Sequence, residues 1–191
     1  MYDVEMKIAL MGCSGSGKST FARRLEEELG YPRIELDSYF HLAGWKAKPT
    51  EQFKSEVSEF LGRSERSSGG WIVDGNYLSK LDDLVLAKAD IVIWFNLPKK
   101  ILMKRVIKRS LRRAITREEL WNGNRESLGN LLKWSPEENI IRWTWSQYGA
   151  YIERLSELAA VAEKERRQLW IEIKNEKDLL TAFNYLASVN L

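Results

Sequence analysis

Residues 12–19 read Gly-Cys-Ser-Gly-Ser-Gly-Lys-Ser, and no other stretch restricts the fold of this chain so tightly. They satisfy G-x-x-x-x-G-K-[ST] in full, and their flanks agree. The compact apolar run at residues 7–11 predicts a strand. The pattern at 18–29 predicts a helix, closed by Gly30 and Pro32. A strand-to-helix turn of this composition is built to hold phosphate. Glycines let backbone N–H groups turn inward with no Cβ in the way, and the helix N-terminus adds partial positive charge. Lys18 brings a full charge to the β- and γ-phosphates of ATP, and the Ser19 hydroxyl is a ligand for Mg²⁺. Gly12, Ser14, Gly15, Ser16, Gly17, Lys18, Ser19 and Thr20 are therefore the expected ATP-binding residues. Cys13 is either a passive loop residue or, beside a helix N-terminus, a thiol of lowered pKa.

Short apolar runs alternate with longer helical patterns along the rest of the chain. Strands are expected at 33–36, 71–74, 90–95 and 169–173, the fourth of the series (90–95) apolar throughout and so buried on both faces. Thr50 is placed to cap a helix whose Phe53, Val57, Phe60 and Leu61 share one face. Past Pro98 the pattern is helical through Arg113. Thr116 with Glu119, and Ser135-Pro136 with Glu138, read as capping-box starts, the second opening a long helix to about Arg166. Asn175 caps a final helix. Strands separated by helices imply a parallel sheet covered on both faces, an α/β three-layer sandwich. Residues 1–191 read as one domain, with 110–135, short helical stretches between turns, as its mobile lid.

Composition narrows the function classes. A net charge of +3 is too small to imply a nucleic-acid partner. One cysteine excludes an internal disulfide, and one histidine excludes a His/Cys zinc cage. The first residues read as a strand and not a signal peptide, and no run is long enough to span a bilayer. A cytosolic protein is the expectation. No Asp-x-x-Gly switch sequence occurs, and residues 175–178, Asn-Glu-Lys-Asp, misplace the lysine of a guanine-reading motif, so the loop is of the kinase type.

Three further segments carry a family likeness: residues 34–40, Ile-Glu-Leu-Asp-Ser-Tyr-Phe; residues 71–77, Trp-Ile-Val-Asp-Gly-Asn-Tyr; and residues 120–128, Leu-Trp-Asn-Gly-Asn-Arg-Glu-Ser-Leu. With the phosphate loop they resemble the bacterial DNA topology modulation proteins, relatives of adenylate kinase and shikimate kinase. The resemblance covers roughly residues 6–148 and implies a five-stranded parallel sheet in the order 2-3-1-4-5. In such proteins the fourth strand commonly ends in Leu-Asp-x-Pro, whereas this chain has Phe-Asn-Leu-Pro at 95–98. Asn96 supplies no carboxylate there, which moves the magnesium role to Asp74.

The likeness also implies roles for individual residues. Asp37, at the end of the second strand, binds or deprotonates an acceptor hydroxyl; the alternative is an aspartate that caps a turn. Asp74 follows an apolar strand in the manner of a Walker B acid and serves Mg²⁺, or else merely forms an Asp-Gly turn. Lys104, Arg105, Lys108, Arg109, Arg112 and Arg113 make one basic stripe, with Val106, Ile107 and Leu111 left for the core. Its plain reading is a solvated face. Its position leading into a lid assigns Arg109 to adenine and Arg113 to phosphates. Arg125 either closes over the γ-phosphate or the acceptor's anionic group, or is an ordinary exposed arginine. His41 and Trp45 are placed to line an acceptor pocket, or to pack. Trp143, Trp145, Tyr148 and Tyr151 read as core. Together these residues point to phosphoryl transfer from Mg-ATP to a small hydroxyl- or phosphate-bearing acceptor such as a nucleoside or nucleotide. The alternative is an ATP-dependent regulator of DNA topology without that activity.

Overall fold

The computed structural model describes residues 5–136 and 139–189. Strand β1 (Lys7–Gly12) leads through the glycine loop into helix α1 (Lys18–Leu29). Next come β2 (Arg33–Glu35), α2 (Leu36–Phe40), the two-residue strands β3 (His41–Leu42) and β4 (Lys46–Ala47), and α3 (Thr50–Ser68). Strand β5 (Trp71–Asp74), α4 (Leu78–Leu81), β6 (Ile91–Phe95) and α5 (Lys99–Thr116) follow. The chain continues with α6 (Leu128–Leu132), α7 (Ile140–Glu165), β7 (Leu169–Ile173) and α8 (Glu176–Val189). The main sheet has the order β2-β5-β1-β6-β7, and every pairing in it is parallel. Counting only its own strands, that is the expected 2-3-1-4-5.

Period-two alternation sends each central strand into two cores. Ala9, Met11, Val73, Val92 and Trp94 pack with Phe53, Val57, Leu61 and Leu155 under α3 and α7. Ile8, Leu10, Ile72, Ile93 and Phe95 pack with Phe21, Leu25 and Leu186 under α1 and α8. Burial on both faces is why these strands are apolar throughout. Parallel pairing brings the C-terminal ends of β1, β2 and β5 to one edge, where ligands of open α/β sheets bind. Among the described residues, no helix is long and apolar enough to cross a membrane.

Several local expectations change. The second strand stops at Glu35, and Leu36 and Asp37 begin α2. Pro49, with its fixed φ, precedes α3, and Thr50 is its first helical residue. Helix α5 runs on through Thr116, whose hydroxyl donates back to the Arg112 carbonyl (2.9 Å) and so opens no capping box. The long helix starts at Ile140 beneath Asn139, whose Oδ1 accepts from the amides of Ile141 and Arg142; Glu138 lies outside the described residues. Asn175 does cap α8, accepting from the Asp178 amide. Ile107 and Leu111 are exposed, and the core face of α5 is Leu102, Met103, Val106, Ser110 and Ala114. On α7, Trp145 is 59% exposed, its ring covered by the Lys99 ammonium at 3.6 Å, and Trp143 is partly exposed. Tyr148 and Tyr151 do pack, against Cys13, Leu97 and Leu102.

This layering predicts a contrast. Phe21 is buried and meets the rings of Phe95 and Phe183 edge-on at 5.7 and 6.1 Å, joining β6, α1 and α8. Phe21→Ala is expected to lower unfolding free energy by about 3–5 kcal/mol. Trp145→Ala, which removes an exposed cation–π contact, is expected to cost about 1 kcal/mol or less. Urea denaturation of both variants measures the difference.

Candidate functional site

The glycine loop is held from both sides. The Asn76 side chain brackets Gly12, its Oδ1 accepting from the Gly12 amide and its Nδ2 donating to the Gly12 carbonyl, both at 2.9 Å. From the opposite side, Arg105 Nη1 donates to the Ser16 carbonyl (3.3 Å) and Arg109 Nη2 to Ser14 Oγ (2.7 Å). Helix α5 packs onto the loop so closely that a Cβ on Gly15 (φ +80°) would lie 2.6 Å from Val106 Cγ2. Only glycine fits there. Gly17 begins α1 in a left-handed conformation with no side chain capping it, so the helix N-terminus is open to an anion.

The loop floors a cleft of about 1590 Å³. Gly12, Ser14, Gly15, Gly17, Lys18, Ser19 and Thr20 line it, while Ser16 is buried behind them. Asp37, His41, Trp45, Tyr77, Trp121 and Tyr151 line it from other elements. The basic stripe divides. Arg105, Arg109, Arg112 and Arg113 line the cleft, whereas Lys104 and Lys108 are exposed. Burial, and then the neighbouring Arg113, pull Arg109 below its ordinary pKa, with Glu126 and Asp37 acting the other way. A guanidinium stays protonated regardless. Arg113 pairs with Glu126 (3.1 Å) and Glu118 (3.5 Å). Among the described residues Arg109 has no ion pair, so positive potential concentrates beside the loop.

Two carboxylates stand at strand ends. Asp37 Oδ1 accepts from the Tyr77 hydroxyl (2.7 Å), and that hydroxyl lies 3.4 Å from His41 Nε2. Burial, with Asp37 nearby, pushes the Tyr77 phenol far above its ordinary value, so it remains a donor. Asp74 is buried beneath the cleft, and among the described residues neither of its oxygens has a hydrogen-bond partner of normal geometry. Burial raises its pKa; Lys18, and then the Ser19 hydroxyl close by, draw it partly back. A buried, unpartnered carboxylate next to a serine hydroxyl offers hard oxygen donors, the kind Mg²⁺ takes. Among the described residues no group of three or more His, Cys, Asp or Glu side chains is placed to hold a metal.

Residues 117–133 are fastened to the β3–β4 hairpin. Asn122 Nδ2 donates to the carbonyls of Ser38 and His41, and Asn124 Nδ2 donates to those of Leu42 (3.0 Å) and Trp121 (2.9 Å). Asn124 Oδ1 accepts from the Trp45 amide (2.8 Å), and Trp45 Nε1 donates to the Arg125 carbonyl (3.2 Å). Trp45 is thereby held at φ +59°, a conformation that costs a bulky residue about 1–3 kcal/mol. The expected lid thus begins with two helical turns of α5, residues 110–116, and continues into a segment tied to the hairpin.

Some expected residues lie elsewhere. The Arg125 guanidinium does not line the cleft and pairs with Glu119 (3.0 Å), both half exposed. Asn96 turns to β7, where its Nδ2 donates to Glu172. Cys13 is buried, and burial, opposed by Lys18, pushes its thiol up to about 11, so it is no low-pKa thiol. Asn76, Tyr77, Arg105 and Asn124 carry work that sequence reasoning did not assign.

A phosphate loop at the end of the central strand of a 2-3-1-4-5 parallel sheet defines a P-loop nucleotide-binding protein of kinase type. The chain belongs to the AAA domain family, whose model matches residues 8–127, more than half of its length. Comparison with curated proteins gives no match. Among solved structures it is similar in fold to deoxyadenosine kinase from M. mycoides, solved with the products dCMP and a flexible dCDP bound. The TM-score is 0.51 and the identity 18%, over 96% of this chain and 100% of that one.

The asparagine lock yields a test. Asn124→Ala removes three buried hydrogen bonds, worth about 1–3 kcal/mol once partners are left unpaired. The Trp45 amide should then exchange with solvent roughly ten- to a hundredfold faster by hydrogen-exchange NMR, while amides of β1 keep their protection. Unchanged exchange at Trp45 would mean that the lock does not hold the hairpin.

Proposed function

We propose that this protein transfers the γ-phosphoryl group of Mg-ATP to a small hydroxyl- or phosphate-bearing acceptor. One observation carries the reading. The phosphate loop and all three segments that resemble topology modulation proteins supply walls of a single cleft: Asp37 and Phe40 from the first, Asn76 and Tyr77 from the second, Trp121 and Glu126 from the third. A domain that only bound ATP would need the loop but not a carboxylate-bearing wall opposite it. The shared fold with a deoxyadenosine kinase agrees.

Each residue then has a task. Loop amides and Lys18 hold the β- and γ-phosphates. Arg109, expected at adenine but hydrogen-bonded to Ser14 of the loop, offsets charge on the transferring group together with Arg113. Ser19 and Asp74 would hold Mg²⁺, which would supply neutralisation of phosphate charge. Asp37, fixed by Tyr77, orients the acceptor and takes its proton. Arg125 reaches the anionic end of a ligand only after leaving Glu119. Most of the rate enhancement comes from positioning and electrostatics. A cytosolic setting suits the single buried thiol. DNA binding is the weaker reading, because four of the six stripe residues line the cleft.

The two carboxylates separate the roles. Asp37→Asn is expected to lower kcat by about 10²- to 10⁴-fold with ATP affinity nearly unchanged. Asp74→Asn should instead raise the Mg²⁺ concentration needed for half-maximal activity. Steady-state kinetics over a magnesium series distinguishes them, and an identical defect in both variants would overturn this division.

A further inference from the structure

Resting on the phosphotransferase reading, we infer that the acceptor is an uncharged molecule of nucleoside type. Its planar heteroaromatic ring is seated among His41, Trp45 and Trp121, and its hydroxyl is presented to Asp37. A nucleotide or a sugar without a ring system of this kind is the wrong ligand for that wall.

Volume comes first. A cleft of about 1590 Å³ exceeds the roughly 300–1,000 Å³ of a single small-molecule site, leaving room for a second ligand beside ATP.

Charge decides what kind of ligand. Lys18 and Arg109, half-buried and without an ion pair among the described residues, lie on or against the phosphate loop. The charge of Asp37 reaches Arg109, but that guanidinium is committed to the loop through Ser14 Oγ, and other cations carry ion pairs of their own. Arg33 pairs with Glu26 and Glu35, Lys48 with Glu56, and Arg125 with Glu119. Arg23 and Lys80, which also line the cleft, are exposed at its rim. His41 adds no charge near neutral pH, since burial lowers its pKa although Asp37 pulls the other way. A phosphate brought to this wall would meet the Asp37 carboxylate, with the half-buried Lys18 and Arg109 held at the loop instead. A neutral hydroxyl meets an acceptor. Tyr77 occupies Asp37 Oδ1, which leaves Oδ2 for that hydroxyl.

Ring geometry supplies the class. His41 and Trp121 lie nearly parallel, with centroids 6.1 Å apart and planes 20° apart. Trp45 stands edge-on to both, at 5.4 and 6.3 Å, closing a corner. All three are only half-buried, and neither tryptophan belongs to a hydrophobic core of the fold. Core packing therefore does not account for the left-handed backbone at Trp45 or for the asparagine bonds that enforce it. A rigid aromatic corner open to a cleft is a stacking surface for a planar ring. In the transfer step the acceptor oxygen bonds to the γ-phosphorus as the bond from that phosphorus to the ADP oxygen breaks. The hydroxyl proton passes to Asp37, and ADP leaves with the bonding pair.

The experiment is calorimetric titration of the wild-type protein, saturated with Mg²⁺ and a non-hydrolysable ATP analogue. The titrants are adenosine, guanosine, cytidine and thymidine, their 5′-monophosphates, and ribose. At least one nucleoside should bind roughly tenfold or more tighter than both its monophosphate and ribose. Trp121→Ala and Trp45→Ala should weaken it by about 5- to 150-fold, the value of a stacked base, with Trp45→Phe retaining most of the affinity. The analogue's own affinity should not change in any variant. A monophosphate or ribose that binds as well as every nucleoside, or no nucleoside binding below millimolar concentration, overturns the inference and leaves the kinase reading standing. Failure of the ATP analogue to bind the wild type removes the kinase reading beneath it.

Discussion

A loop that must aim most of its amides at an anion has few left to hold its own shape, and within it the Ser16 amide bonds the Cys13 carbonyl. Everything around residues 12–19 follows from that constraint. Gly12 is gripped by the Asn76 side chain, and the carbonyl of Ser16 and hydroxyl of Ser14 are gripped by Arg105 and Arg109. Two elements distant in sequence, the turn after β5 and helix α5, are therefore required to build the phosphate site. The parallel sheet is what delivers them: β5 and β6 flank β1, so the turn and the helix that follow these strands emerge on either side of the loop.

The same arrangement explains why two ionisable groups sit in unfavourable places. Arg109 is half-buried beside a like charge, and Asp74 is buried with no hydrogen-bond partner of normal geometry among the described residues. Each alone destabilises the free protein, because desolvated charge is poorly compensated. On the proposed reading, a phosphate and its cation would compensate both. Strain at Trp45 belongs to the same pattern, with asparagines of the 117–133 segment enforcing a conformation that the hairpin would not adopt by itself.

The sheet, its strand order and the loop were legible in the sequence because each leaves a periodic or near-invariant signature. Apolar runs at 71–74, 90–95 and 169–173 were bounded by turn residues, and the glycine–lysine pattern has a mechanical reason at each position. The α2 turn was missed because five residues carry too little periodicity to separate helix from strand end. Thr116 looked like a cap because its pattern with Glu119 is local, while the helix continues through packing of Val106, Ser110 and Ala114. Exposure of Trp143 and Trp145 escaped a rule that puts large aromatics inside. Asn76 and Asn124 escaped because an asparagine that bridges segments 64 or 79 residues apart leaves no mark within its own neighbourhood. Composition did not foretell the Cys13 thiol either: the helix terminus favours a thiolate, but burial prevails.

The central claim is that this cleft takes the triphosphate of Mg-ATP on the loop, with Lys18 as its principal positive charge. Isothermal titration of Mg-ATP into the wild type and into Lys18→Ala tests it most directly. The account predicts saturable one-to-one binding to the wild type and a loss of at least about tenfold in the variant, with thermal stability of the free protein preserved. Equal affinity for both proteins, or no binding to the wild type at millimolar Mg-ATP, would contradict it.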